Sequence, residues 1–250
     1  MGSKMSKKGQ VTIFIIIAIL IVAAIVAFFL LYTQQESEEA GLQLEIESCV
    51  RDVVDKSVDK VLAGAGMVSP VHFKLYQGGE YNYLCYQENY YHTCINQYPL
   101  LRRTAEEEIL DNSLSGIRNC IDNELQEVRD NGYDVDEGSL DVDVHVIPRE
   151  VEIEISKQID ISKGDFSQSF NKFDIKLLSP LYELIHIAQE VVNQESEFCN
   201  FEYNGFMLLY PKYKINRFVY DESRLYRIED RQSGKVIKFA VRSCAFPPGL

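Results

Sequence analysis

No cysteine in this chain belongs to a CxxC pair, no HExxH spacing occurs, and the four histidines, His72, His92, His145 and His186, are scattered. A zinc centre needs thiolates or imidazoles clustered at ligand spacing, so none is expected. No serine sits in a GxSxG elbow and no glycine-rich phosphate loop occurs, which removes the usual signatures of acyl transfer and nucleotide binding. The acids are dispersed rather than paired for acid and base work. The expectation is a protein that is not an enzyme and holds no cofactor or metal. Basic charge is also scarce, with 25 Lys and Arg against 38 Asp and Glu and a net charge of −13. Such a surface repels phosphate backbones, so nucleic acid is not expected as a partner.

What is present begins with Val11 to Tyr32, 22 consecutive residues without a charge, a glycine or a proline. As a helix this run covers roughly 33 Å, enough to cross a bilayer. It is longer than the apolar core of a secretory signal and lacks the small-residue site that would follow one. Lys4, Lys7 and Lys8 precede it, and Glu36, Glu38 and Glu39 follow it. The positive-inside rule then sets the N-terminus in the cytoplasm and everything beyond about Gln34 outside. The expected location is the cell membrane, crossed once, with the head extracytoplasmic or on the cell surface.

All six cysteines fall on the outer side. An even count there favours disulfides. Sequence leaves every connectivity of six cysteines open. The preferred set is Cys85 with Cys94, closing the loop CYQENYYHTC; Cys49 with Cys120, both on amphipathic helices; and Cys199 with Cys244, both beside strands.

Periodicity organises the rest. Leu42, Ile46, Cys49, Val50, Val53, Val54, Val58, Val61 and Leu62 recur at helical spacing, with charged residues opposite. A single helix from Gln10 to Ala63, about 80 Å long, is expected, stopped by the GAG at Gly64 to Gly66. VHFKLYQ and YNYLCYQ read as a hairpin. A helix with Thr104 as N-cap and Glu107 completing a capping box should follow and end at the DNG of Asp130 to Gly132. SLDVDVHVI and VEIEISKQIDIS alternate around an IPRE turn as an antiparallel pair, followed by a strand over 167–176. Ser179 should cap a helix whose first position is Pro180. FMLLYPKYKI, RLYRIED, an RQSGK turn and VIKFAVRSC read as two or three more strands. The fold class is α+β. A long N-terminal transmembrane and amphipathic helix leads into a disulfide-containing head of helices packed on antiparallel sheet. The divisions are a basic cytoplasmic leader over 1–9, a transmembrane or filament-core helix over 10–34, its amphipathic continuation over 35–63, and the head over 64–250.

The opening residues KKGQVTIFIIIAILIV resemble the class III signal of archaeal type IV pilin-like proteins. The resemblance implies cutting by a prepilin peptidase after the small residue that follows the basic pair. Lys7, Lys8, Gly9 and Gln10 would be the processing residues, with the cut between Gly9 and Gln10. Bacterial pilins carry an acid at the fifth mature position, where this chain has Phe14; archaeal relatives often lack it. IESCVRDVV and the tail FAVRSCAFPPGL resemble a group of uncharacterised archaeal membrane-anchored proteins that share this signal type. The function implied is a pilin-like structural subunit of a cell-surface filament or pseudopilus, partnered by the membrane, by the peptidase and by copies of itself or pilin-like partners. Ala18, Ala23, Ala24 and Ala27 interrupt the apolar run with small residues that allow close helix packing in lipid or a filament core.

Two other stretches bear on ligand binding. YDVDEGSLDVD, with Asp134, Asp136, Glu137, Asp141 and Asp143, has a DxDxG but lacks the spaced glutamate of a calcium loop, and reads as a turn followed by the solvent face of a strand. Tyr83, Tyr86, Tyr90 and Tyr91, interleaved with amides, could form a binding loop. That loop motivates the alternative function, a monomeric membrane-tethered surface module for a glycan or protein partner. Core packing of the hairpin is the simpler reading.

Overall fold

The computed structural model describes the backbone of residues 7–89 and 91–244, and the side chains of 17–28, 45–89 and 91–244. Among the described residues there are four helices and two sheets. The chain divides into two units, Met1–Ile46 and Glu47–Leu250.

The first unit is helical from Lys7, the start of α1 (Lys7–Ala63). Among the described residues no helix is long and apolar enough to cross a membrane. The described side chains within the Val11 to Tyr32 run are those of 17–28.

The second unit takes in the last part of α1, from Glu47. Here Val50, Val54, Val58, Val61 and Leu62 are buried, while Asp52, Asp55, Lys56 and Asp59 face water. The helix stops where the chain turns left-handed. Gly66, at φ +98°, returns its N–H to the carbonyl of Val61 at 2.8 Å, and a side chain at that φ would be strained.

α2 (Leu101–Asp130) buries Ala105, Ile109, Ser113, Ile117, Ile121 and Leu125, every fourth residue, along α1 and one sheet. That sheet consists of β4 (Asp134–Glu137), β5 (Asp141–Ile147), β6 (Glu150–Lys163) and β7 (Phe166–Leu178). β4 and β5 follow each other along one edge of β6, β7 lines the other, and all pairings are antiparallel. Alternation works as expected: Val142, Val144 and Val146 point inward with Val151, Ile153 and Ile155. A register shift between Ser156 and Ile159 changes the parity of β7, so that Phe170 as well as Phe173 and Ile175 face the core.

The second sheet runs β1 (Phe73–Tyr76), β2 (Gly79–Tyr86), β10 (Val236–Arg242), β9 (Ser223–Asp230), β8 (Tyr213–Tyr220), with β3 (Ile95–Asn96) also on β2. It is not wholly antiparallel as expected. β2 and β10 are parallel, Asn82 standing opposite Phe239. The long excursion between them supplies the crossover that a parallel pair requires. α3 (Leu181–Phe198) packs on this sheet and touches α2, joining the two layers. The six cysteines pair as Cys49–Cys120, Cys85–Cys94 and Cys199–Cys244, with Cα separations of 5.8, 5.4 and 5.6 Å.

Three local expectations are corrected. Thr104 is not an N-cap: α2 begins at Leu101, and the Thr104 hydroxyl donates back to the Leu100 carbonyl at 3.4 Å. Glu107 makes an i,i+4 pair with Arg103 instead of a capping box. Pro180 is the N-cap of α3 rather than its first residue, and Ser179 Oγ accepts from Leu181 N at 3.2 Å. FMLLY is not a strand. It lies mostly in α4 (Tyr203–Leu209), which starts where the Glu202 carboxylate accepts from the N–H groups of Asn204 and Gly205.

Candidate functional site

In the first unit, each of the twelve described side chains from Ile17 to Phe28 is exposed, although all are apolar. At about 100° per residue, Ala23, Ala24 and Ala27 share one side of the helix and Ala18 lies on the opposite side. The alanines therefore make one narrow small-residue face and a separate position. Lys7, Lys8, Gly9 and Gln10 are helical in backbone, and their side chains lie outside the described residues.

In the second unit the tyrosines part company. Tyr83 is buried, and its hydroxyl bonds Ser223 Oγ at 2.8 Å. Its ring sits 4.7 Å from His72 and 5.0 Å from Tyr86. Tyr86 is half-buried and accepts from Arg242 Nη1 at 3.0 Å. These two belong to the hairpin core rather than to an open loop. Tyr90 lies outside the described residues, and Tyr91 is 85% exposed.

The acidic stretch resolves into strands. Asp141 and Asp143 face solvent on β5, while Asp134 and Asp136 do so on β4. Glu137 turns to Lys157 and Arg129, at 2.8 and 2.6 Å, and these donors hold its carboxyl below the usual range. Lys157 itself is buried and also donates to the Gly138 carbonyl at 2.9 Å. The Glu137 charge is thus consumed within the fold. Among the described residues no group of three or more His, Cys, Asp or Glu is placed to hold a metal ion.

Two features escaped the sequence reading. The first is Glu195, fully buried on α3, where its two oxygens accept from Arg224 Nη1 and the Tyr226 hydroxyl. Arg224 also donates to the Cys199 carbonyl at 2.6 Å, and Ser243 Oγ to that of Glu195 at 3.1 Å. Burial, with the neighbouring Glu195 charge adding to it, pushes the Tyr226 phenol far above its usual range. This network clamps α3 to β9 beside the Cys199–Cys244 bridge.

The second is a pair of clefts flanking the exposed ridge of α3, where Tyr182 and His186 stack 6.2 Å apart. One, about 520 Å³, opens toward Arg102 and Arg103 at the start of α2. The other, about 430 Å³, is walled by Tyr182, Phe206, Tyr210 and Tyr213 with the carboxylates Glu183 and Glu190. Helical spacing of Tyr182, Glu183, His186 and Glu190 was visible in the sequence. The facing rings come from α4 and β8, where the reading as one strand hid them. No family model, curated protein or solved structure matches the chain.

Proposed function

We propose that this chain is a membrane-anchored, pilin-like structural subunit of a cell-surface filament or pseudopilus. Its N-terminus lies in the cytoplasm, a prepilin peptidase cuts it between Gly9 and Gln10, and the disulfide-bonded head is displayed outside. The observation that carries this reading is the exposed apolar stretch Ile17–Phe28 on α1. A continuous apolar surface of this kind is not left in water; it marks a segment covered by lipid or by other helices. The three disulfides add support, because such bonds persist in oxidising compartments beyond the cytoplasm. The small-residue face at Ala23, Ala24 and Ala27 suits close packing against copies of the same helix or against pilin-like partners.

The test is mass spectrometry of the protein recovered from its native membrane. A mature chain beginning at Gln10 is the expected result. A chain that retains residues 1–9 would remove the basis for peptidase processing.

A further inference from the structure

We propose that the aromatic and acidic cleft between α3, α4 and the start of β8 binds a primary alkylammonium group. Five rings, those of Tyr182, His186, Phe206, Tyr210 and Tyr213, line the cleft, four of them without a basic nitrogen, and no lysine or arginine lines it. The faces of such rings attract cations. Lys212 is the nearest basic residue in sequence. Its Nζ lies 5.3 Å from the centroid of Tyr213 and 3.5 Å from Asp230 Oδ2, so its charge is shared between Asp230 and the Tyr213 ring at the edge of the cleft.

The carboxylates decide the ligand class. Glu190 Oε1 accepts from Gln194 Nε2 at 2.6 Å. Glu183 Oε2 is shielded from solvent and accepts no hydrogen bond from a described residue. Glu183 itself lines the cleft and is half-buried, so a turn of its carboxylate brings the sheltered oxygen to the cleft, where an N–H donor satisfies an atom that has lost water without gaining a hydrogen bond. The Tyr213 phenol is pushed up by burial, with Lys212 opposing and the Glu183 charge adding, which fits a carboxylate close to that ring. The neighbouring cleft makes no such demand, because Arg102 and Arg103 are held by Glu106 and Glu107 at 2.6 and 3.2 Å.

Rings call for positive charge, Glu183 calls for N–H groups, and Ile187 offers apolar contact to a short aliphatic stem. A primary ammonium on an alkyl chain meets all three requirements, whereas a quaternary ammonium lacks the donor. The net charge of −13 raises the local concentration of cations around the head. A lysine side chain of a partner and a free aliphatic amine share this chemistry. The site is independent of whether the chain polymerises.

The test uses the full chain in detergent micelles, labelled with 3-fluorotyrosine, its resonances assigned by single Tyr→Phe variants. Fluorine spectra are followed at constant ionic strength during titration with n-butylammonium, N-acetyl-lysine methylamide and uncharged n-butanol. Saturable shifts at Tyr182, Tyr210 and Tyr213 are expected with both amines, and the n-butanol affinity should be at least about tenfold weaker. Glu183→Gln should weaken amine binding by about tenfold and leave n-butanol unchanged. Should that variant lose native dispersion, Tyr210→Leu, which removes a half-exposed ring, should weaken the amines more than the alcohol. Tighter binding of the lysine derivative would assign the site to a partner's side chain, and tighter binding of n-butylammonium to a free amine; both uphold it. Equal affinity for amine and alcohol, amine binding unaffected by Glu183→Gln in a folded protein, or no saturable shift would each overturn it.

Discussion

Glu195 has no exposed surface, so its charge is held by neighbours, Arg224 on one oxygen and Tyr226 on the other. Breaking a buried pair from one side strands the other partner, at a cost of about 3–5 kcal/mol when both groups are dry. Arg224 retains some access to water, so Glu195→Gln should fall near the lower end of that range. Tyr226 adds a pH signature. Its phenol is raised by burial and by Glu195, so its contribution is fully present below the ordinary tyrosine value of about 10 and is lost as pH rises through the folded value. Tyr226→Phe should lower stability by about 1–3 kcal/mol at neutral pH, because one Glu195 oxygen loses its donor. It should also make the alkaline decline shallower than in the wild type. Some decline should remain, because burial raises Tyr81 and Tyr213 as well. Urea midpoints of the full chain in detergent, measured from neutral pH to above the ordinary tyrosine value, check both effects. An unchanged alkaline slope would show that Tyr226 titrates like an ordinary phenol.

Where α1 and α2 cross, small residues set their approach. Ser57 Oγ donates to the Ile109 carbonyl at 3.2 Å, and a Cβ on Gly116 would stand 2.6 Å from Val53 Cγ1. Val53 is β-branched and stiff, so the helices themselves would have to separate beside the Cys49–Cys120 bridge. Gly116→Ala should therefore destabilise by about 1–3 kcal/mol, even though alanine gains about 1 kcal/mol in an open helix. Gly205 is the control, because a Cβ there meets only Glu202 Cγ at 3.5 Å, and its alanine variant should be neutral or stabilising. Thermal or urea unfolding of both variants checks the contrast. At this scale much of the fold was legible. The helical spacing of Ile109, Ile117, Ile121 and Leu125 and the alternation in Val142 to Val146 each record a single buried face. Thr104 misled because a capping motif is satisfied by local sequence alone, whereas helix α2 starts earlier, where Leu101 has core to enter. FMLLY misled because a short apolar run has no period to read, and the Glu202 cap decided for helix. Of the cleft, only the α3 side could be seen in advance.

At the scale of the molecule, the pairing of β2 with β10 joins residues far apart in sequence, and no local pattern announces it. The preferred disulfide set is the one present: Cys49–Cys120 joins α1 and α2, Cys85–Cys94 closes its loop, and Cys199–Cys244 ties the end of β10 to Cys199, which caps helix α3 instead of lying beside a strand. Assembly is the level that a single chain leaves to experiment, and the exposed alanine face is where to probe it. Leucine at Ala23 and Ala24 keeps the run apolar, and membrane-insertion scales favour leucine over alanine, so insertion should be normal. The added side chains stand on the face shared with Ala27, where helices in close contact would be forced apart. Overpacking of this kind costs about 1–3 kcal/mol per site, and in a polymer the cost recurs at every subunit. The double Ala23→Leu, Ala24→Leu variant should therefore fractionate with membranes as the wild type does and yield no filaments. Ala18→Leu, on the opposite side, should be the milder change. Membrane fractionation beside filament recovery reads both outcomes. Filaments that persist in the double variant would rule out close packing at this face. A wild type that forms none would return the helix to the role of a plain tether, since a lone helix in lipid has no neighbour for the leucines to displace.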